Sequence, residues 1–170
     1  NEKNSDLLRN GKKIAFGIDS FENYKMWYED SFIELADHLY SKKLFDYIYL
    51  ICAPNRSHIS KNIIRNSNKD YFIDCSHKDL TGVITAIKNS YIFIGNNSGP
   101  LNLASALGVK SFGLIVNDPI SELRFSDINF ITPDNYKDNI WIRDRANMKS
   151  LSSKKVFDTV IKNLNKSEST

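Results

Sequence analysis

The stretch Ile92–Gly108, IFIGNNSGPLNLASALG, constrains this chain more than any other. It reads as strand, turn and helix. Ile92, Phe93 and Ile94 form an apolar run suited to a strand buried on both faces. Gly95-Asn96-Asn97-Ser98-Gly99-Pro100 is dense in turn formers. Pro100 fits the first turn of a helix, where its missing N–H costs nothing. Leu101, Leu103, Ala104 and Leu107 then line one helical face, and Gly108 is placed to stop it. Such a joint aims free backbone N–H groups and the positive end of a helix dipole at one point beyond the strand. An anion, typically a phosphate, can sit there. The same glycines would serve equally well to make a tight strand-to-helix joint, and a Gly-rich turn by itself does not decide between the two.

Strands and helices alternate through most of the remaining sequence. Expected strands are Lys13–Ile18, Tyr47–Cys52, Tyr71–Ile73, Ser111–Val116 and, at an edge, Ile128–Ile131. One helix is expected from a cap at Asp30, with Phe32, Ile33, Leu35, Ala36, Leu39 and Tyr40 recurring at helical spacing. A second is expected from a cap at Ser57, with Ile59, Ile63 and Ile64 facing in. A third starts from a cap at Asp79 and buries Leu80, Val83, Ile84 and Ile87. The last spans Ser153–Leu164. Pro119 is expected to open a helical turn through Leu123. Residues 132–150 are irregular, and no pattern places Trp141 or Arg143. This alternation predicts an α/β fold, a doubly wound parallel sheet. Right-handed crossovers put every βα turn on one edge, and ligands bind beyond the carboxyl ends of the strands. Loops 17–29, 53–57, 74–79, 95–100 and 117–119 therefore face a single site.

Composition narrows the function classes. The 170 residues are enough for one domain with a real core, and 41% hydrophobic with 25% charged residues is ordinary for a globular chain. A net charge of +3 is too small and too evenly spread to argue for nucleic acid, and it does not oppose an anionic ligand. No apolar run approaches a membrane span, and no signal peptide is evident. Cys52 and Cys75 each close an expected strand and read as buried free thiols. His38, His58 and His77 are scattered and show no metal-ligand spacing. The chain starts at Asn1, in the polar run NEKNSD without Met, so it is expected to belong to a longer polypeptide. Residues 1–12 then read as a linker, with a helical turn at Asp6–Arg9. Residues 13–164 form the domain, and 165–170 a frayed tail.

On the predicted edge, the 95–100 loop offers backbone donors and the Ser98 hydroxyl. The 17–29 loop offers Ser20, Lys25 and Trp27. An ammonium near a helix N-terminus would complete a diphosphate site by Coulomb attraction. A lone loop lysine is more often solvated surface, and a tryptophan more often a packing residue. No nucleophile, base and orienting group come together, and no carboxylate pair is brought into reach for acid/base work. The edge describes a binding surface better than a complete catalytic centre.

The segment GNNSGPLNLASALG resembles the hallmark of the heptosyltransferase family, glycosyltransferase family nine, in which a strand runs into G-N-D-S-G-P-x-H-L-A-x-A-L-G. The family's K-x-W-P segment before the first helix is similar to Lys25-Met26-Trp27-Tyr28. Asp79-Leu80 resembles its S-L-x-E-L segment, Val116-Asn117-Asp118-Pro119 its F-G-P-T-D-P, and Met148, Leu151 and Val156 its closing M-x-x-I…V pattern. The match covers residues 13–164 in order. It departs from the family at Asn97 (usually Asp), Asn102 (usually His), Phe16 (usually the His of an H-P-G turn) and Ile115-Val116. The resemblance implies the Rossmann-like C-terminal domain of a GT-B glycosyltransferase. The donor would be a nucleotide sugar, usually ADP-heptose, and the acceptor the lipopolysaccharide core or a related lipid-linked glycan. Transfer would invert the anomeric carbon without metal or other cofactor. Carried over, Lys25 meets the donor diphosphate, Ser98 and Gly99 hold phosphate at the helix start, and Ser20 lines the same pocket. Asn55 falls where the family often has an acid near the ribose. Asn97 and Asn102 complete the donor-binding set. The catalytic base and acceptor site are expected in an N-terminal half, and the work at the cytoplasmic face of the inner membrane.

Two other readings stand beside this one. A degenerate, non-catalytic GT-B domain would keep the fold as a binding or scaffold module. An unrelated Rossmann-like nucleotide binder, such as a reductase, would be expected to carry G-x-G-x-x-G after its first strand, and this chain does not.

Overall fold

The computed structural model describes Leu7, residues 9–123 and residues 127–167. Its elements run β1(Lys13–Gly17), α1(Glu29–Ser41), β2(Tyr47–Ile51), α2(Ser57–Ser67), β3(Phe72–Asp74), α3(Leu80–Lys88), β4(Ile92–Asn96), α4(Gly99–Ala106), β5(Lys110–Leu114), β6(Ile128–Ile131) and α5(Ser153–Ser167). The six strands form one sheet in the order β3-β2-β1-β4-β5-β6, and every pair is parallel. The chain works outward from β1 to β3, returns to β4 beside β1, and works outward again to β6. The reversal opens a crevice beyond the carboxyl ends of β1 and β4, where ligands of such sheets bind. No helix among the described residues is long and apolar enough to cross a membrane.

Strand alternation separates two cores. Phe16, Ile48, Leu50, Ile92, Ile94 and Phe112 face α1, α2 and α5 with Leu35, Ile63 and Val160. Ala15, Tyr49, Ile51 and Phe93 face α3 and α4 with Ala86, Ile87, Leu101 and Ala104. Each central strand therefore spends both of its faces on burial, which is why its sequence is apolar without a polar phase. Leu7 joins the second core, and the Tyr49 hydroxyl donates to its carbonyl at 3.0 Å. Of the expected helical turn at Asp6–Arg9, Asp6 and Leu8 lie outside the described residues, as do 168–170 of the tail.

Several element ends differ from expectation for local reasons. The Tyr28 carbonyl accepts from Ser31 and Phe32 at 3.1 and 3.2 Å, so α1 starts before Asp30. Asp30 sits in the first turn and favours the dipole there instead of capping. Pro54 starts a 3₁₀ turn, Pro54–Arg56, and α2 then begins at Ser57 rather than after it. Asp79 does cap α3, accepting from the Gly82 N–H at 2.8 Å. Another 3₁₀ turn, Arg145–Ser150, organises part of the irregular stretch. The helix α5 continues past Leu164 to Ser167.

The strand β4 runs through Gly95 and Asn96, two residues into the expected turn, because Gly95 fits between Gly17 of β1 and Gly113 of β5. A Cβ on Gly95 would stand 2.9 Å from the Gly17 Cα and carbonyl oxygen. Those are backbone atoms and cannot swing aside. Gly95→Ala is therefore expected to destabilise the domain by about 3 kcal/mol. A methyl group on Gly99 would meet nothing within 4 Å, so Gly99→Ala should stay within about 0.5 kcal/mol of the parent. Urea unfolding of both variants checks this, and equal midpoints would contradict the close β1–β4 approach.

Candidate functional site

A cleft of about 620 Å³ opens in the predicted crevice. The ends of β1 and β2 supply Asp19, Ser20, Asn55 and Arg56. The segment entering α3 supplies Lys78 and Asp79, and the start of α4 supplies Ser98 and Gly99. Four of the residues singled out from the sequence, Ser20, Asn55, Ser98 and Gly99, thus line one cavity. The helix α4 follows β4 with only Asn97 and Ser98 between them, so its free N–H groups face the crevice. The Ser20 hydroxyl donates to the Asn97 carbonyl at 3.0 Å and ties the loop after β1 to that helix start.

Lys25 and Asn97 lie beside the cleft, joined through a residue of the expected edge loop 117–119 to which the sequence assigned no site role. Asp118, in the loop after β5, has a side chain only 3% exposed. Its Oδ2 accepts from Asn97 Nδ2 at 2.8 Å and lies 3.5 Å from Lys25 Nζ. Lys25 Nζ also reaches Glu22 Oε2 at 3.0 Å. Burial works against the Lys25 ammonium, but the Glu22 hydrogen bond and the Asp118 charge outweigh it and hold its pKa above the ordinary lysine value. Lys25 is therefore firmly charged and committed to two carboxylates, with its side chain 14% exposed. Asn102 stands one turn into α4, its N–H on the Ser98 carbonyl at 3.3 Å, and does not line the cleft.

The cations that do line the cleft, Arg56 and Lys78, escaped the sequence reading. Both sit in loops assigned to the edge, but composition cannot say which cation of a loop points inward. Asp19, at the cleft floor, accepts from the Ala53 N–H at 2.8 Å. Burial pushes its carboxyl above the usual carboxylate range, against the pull of that bond and of the Arg56 charge. Asn117 holds the surroundings together. Its Nδ2 donates to the Tyr24 carbonyl and, at 3.1 Å, to the Asp144 carbonyl, while its Oδ1 accepts from Asn147. Trp27 packs, as expected: it is 1% exposed, lies edge-on to Phe32, and donates from Nε1 to the Leu151 carbonyl at 2.8 Å. Trp141 is exposed and outside this arrangement. Cys52 and Cys75 are buried and not joined in a disulfide. Among the described residues, no group of three His, Cys, Asp or Glu side chains is placed to hold a metal ion.

Four side-chain atoms around this joint are buried without a hydrogen-bond partner among the described residues: Asn96 Nδ2, Ser98 Oγ, Asn102 Oδ1 and Asp118 Oδ1. Unpaired polar atoms are expensive, and these four sit on the end of β4, in α4 and in the loops beside them, with Ser98 lining the cleft.

Residues 1–160 match the sequence profile of glycosyltransferase family 9 (heptosyltransferase). The chain belongs to this family. Comparison with curated protein sequences found no significant match. Among solved structures, the E. coli ADP-heptose lipopolysaccharide heptosyltransferase II superposes with a TM-score of 0.76 at 15% identity, over 92% of this chain and 47% of that one. E. coli heptosyltransferase WaaC with ADP gives 0.73 at 16% identity, over 90% and 44%. The iron-containing dodecameric heptosyltransferase TibC, in complex with ADP-D-beta-D-heptose, gives 0.66 at 16%, over 94% and 47%. At such identities the likeness is one of fold. The chain spans about half the length of these proteins. The family-9 domain described here is thus a Rossmann-like α/β unit of the GT-B heptosyltransferase type.

The Asn97–Asp118 bond explains why Asn suits position 97 in this chain. Asp there would set two carboxylates at hydrogen-bonding distance, and both cannot stay ionised cheaply. Asn97→Asp is expected to cost about 1–2 kcal/mol at pH 7.5. The carboxyl pair's folded pKa would be raised, so the deficit is full above that value and fades as pH falls toward the unfolded pKa of about 4. Urea unfolding of parent and variant from pH 4 to 8 tests this, and a deficit that does not change with pH would refute it.

Proposed function

We propose that the domain binds the nucleoside diphosphate part of a nucleotide-sugar donor, of the ADP-heptose kind, for transfer to a lipopolysaccharide core or related glycan. The observation that carries this reading is the cleft at the reversal of strand order, with Ser20, Ser98 and Gly99 around the free start of α4 in a family-9 chain. Backbone N–H groups and the α4 dipole suit phosphate, and the unpaired hydroxyl and amide atoms suit a polyhydroxylated ligand. The ADP and ADP-heptose bound to WaaC and TibC, proteins of the same fold, support the same donor class.

On this reading Lys25, Asn97 and Asn102 complete the donor site, and Asn55 faces the ribose. Lys25 contributes to the diphosphate once it leaves Asp118. The transfer is inverting and needs no metal, its catalytic base and acceptor site lie outside this domain, and it occurs at the cytoplasmic face of the membrane. A second reading, a non-catalytic domain that keeps the fold as a binding module, draws on the commitment of Lys25 to Glu22 and Asp118, which leaves the expected cation occupied.

Calorimetric titration of the chain with ADP, UDP and GDP separates the two. Binding of ADP in preference to UDP and GDP, weakened by Lys25→Ala, is the expected result. Preference for UDP or GDP would keep the donor site and change the sugar class. Absence of binding to all three at millimolar concentration would favour the non-catalytic module.

A further inference from the structure

We propose that Arg56 is the donor site's preformed phosphate-binding cation, a role that deepens the donor-site reading and rests on it. Lys25 is shared between Glu22 at 3.0 Å and Asp118 at 3.5 Å, so an incoming diphosphate must first displace it from two carboxylates. Lys78 lines the cleft but is buried and already engaged by a neighbouring group. Arg56 lines the cleft, is half-buried, and makes no ion pair among the described residues.

Among the described residues, its guanidinium is held in place by neutral acceptors only. Nη1 donates to Asn23 Oδ1 at 2.8 Å and to Met26 Sδ at 3.1 Å, and Nη2 donates to the Phe21 carbonyl at 3.1 Å. These bonds fix the plane of the fork without spending its charge. They leave the Nε–H and one N–H of Nη2 without a partner among the described residues. The Nε–H and the remaining N–H of Nη2 are donors still open to an anion such as a phosphate. Because the side chain is already ordered, little rotamer entropy remains to be lost on binding.

Position points to phosphate rather than to the base. Arg56 belongs to the loop after β2, but its guanidinium reaches back to Phe21–Met26, the loop that follows Ser20. Ser20 in turn is bonded to Asn97 at the start of α4. The guanidinium and the helix start therefore border the cleft through one connected loop. The cleft carboxylate that feels the Arg56 charge is Asp19, whose Oδ2 is taken by the Ala53 N–H and which is not ion-paired with the guanidinium.

The test is calorimetry of the 170-residue chain with adenosine, AMP and ADP, for the parent, Arg56→Gln, Arg56→Lys and Lys25→Ala. Gln keeps an amide donor toward Phe21 and Asn23 and removes the charge, and Lys keeps the charge without the fork. Arg56→Gln is expected to weaken ADP at least tenfold, AMP less, and adenosine less than twofold. Arg56→Lys should recover part of the loss, and Lys25→Ala should cost less than Arg56→Gln. Thermal unfolding of each variant shows that it is folded. If Arg56→Gln does not fold, the comparison of Arg56→Lys with the parent on ADP and adenosine carries the test. Equal losses for adenosine and ADP would mean that Arg56 only holds the loop, and would overturn the proposal. So would ADP binding that Arg56→Gln leaves intact. A parent chain that binds none of the three ligands would overturn the donor-site reading itself, and this assignment with it.

Discussion

The seam between β1 and β4 is the constraint on which the rest of the domain depends. Gly17 and Gly95 stand opposite each other there, and the Phe93 ring lies over both, with its atoms 2.6 and 2.8 Å from where their methyl groups would be. Side chains at either position would push the two strands apart or expel the ring. The seam is also where the strand order reverses, so no crossover helix covers its carboxyl end. The glycines allow the close backbone packing, and the reversal of strand order at the same seam leaves the crevice open.

Buried polar bonds carry that geometry outward. The Asn96 Oδ1 accepts from the Trp27 N–H at 2.9 Å, and Trp27 reaches across to the Leu151 carbonyl. The strand end, the loop before α1 and the segment before α5 are thereby joined through one tryptophan, by its backbone N–H on one side and its indole on the other. Asn117 does the same between the loop after β5, Tyr24 and the 144–147 stretch. Residues 132–150 have little regular structure, yet they are tied to the site. Arg145 donates from Nε to the Met26 carbonyl at 3.1 Å and lies over the Tyr28 ring. The shape of the crevice is thus set by loops whose positions come from buried amides and a tryptophan, not from the helices alone.

Charge at the site is arranged in two states. Lys25 is neutralised locally by Glu22 and Asp118, while Arg56 is oriented by neutral acceptors and keeps its field. For an anionic ligand the difference decides the order of contacts: a guanidinium held by neutral acceptors attracts at once, and an ion-paired ammonium must exchange partners first. The Asn97–Asp118 bond belongs to the same balance, since a neutral amide can donate to Asp118 where a second carboxylate would repel it.

The fold was legible in the sequence because its signals are local. Apolar runs such as YIYLI and IFI mark strands buried on both faces, and Asp79 marks the start of α3 through one side-chain bond. The G-N-N-S-G-P joint announced a strand-to-helix turn, and order along the chain then placed Ser20, Asn55, Ser98 and Gly99 on one edge. Pairing was not legible. Nothing in the sequence says that Lys25 meets Asp118 from the far half of the chain, that Arg56 folds back onto Phe21 and Asn23, or that Asn117 anchors a stretch without periodicity. The spacing of residues along a strand or helix follows from backbone geometry, which each short segment carries by itself. Which charge finds which partner depends on loops brought together by long-range packing, and that only the tertiary structure decides.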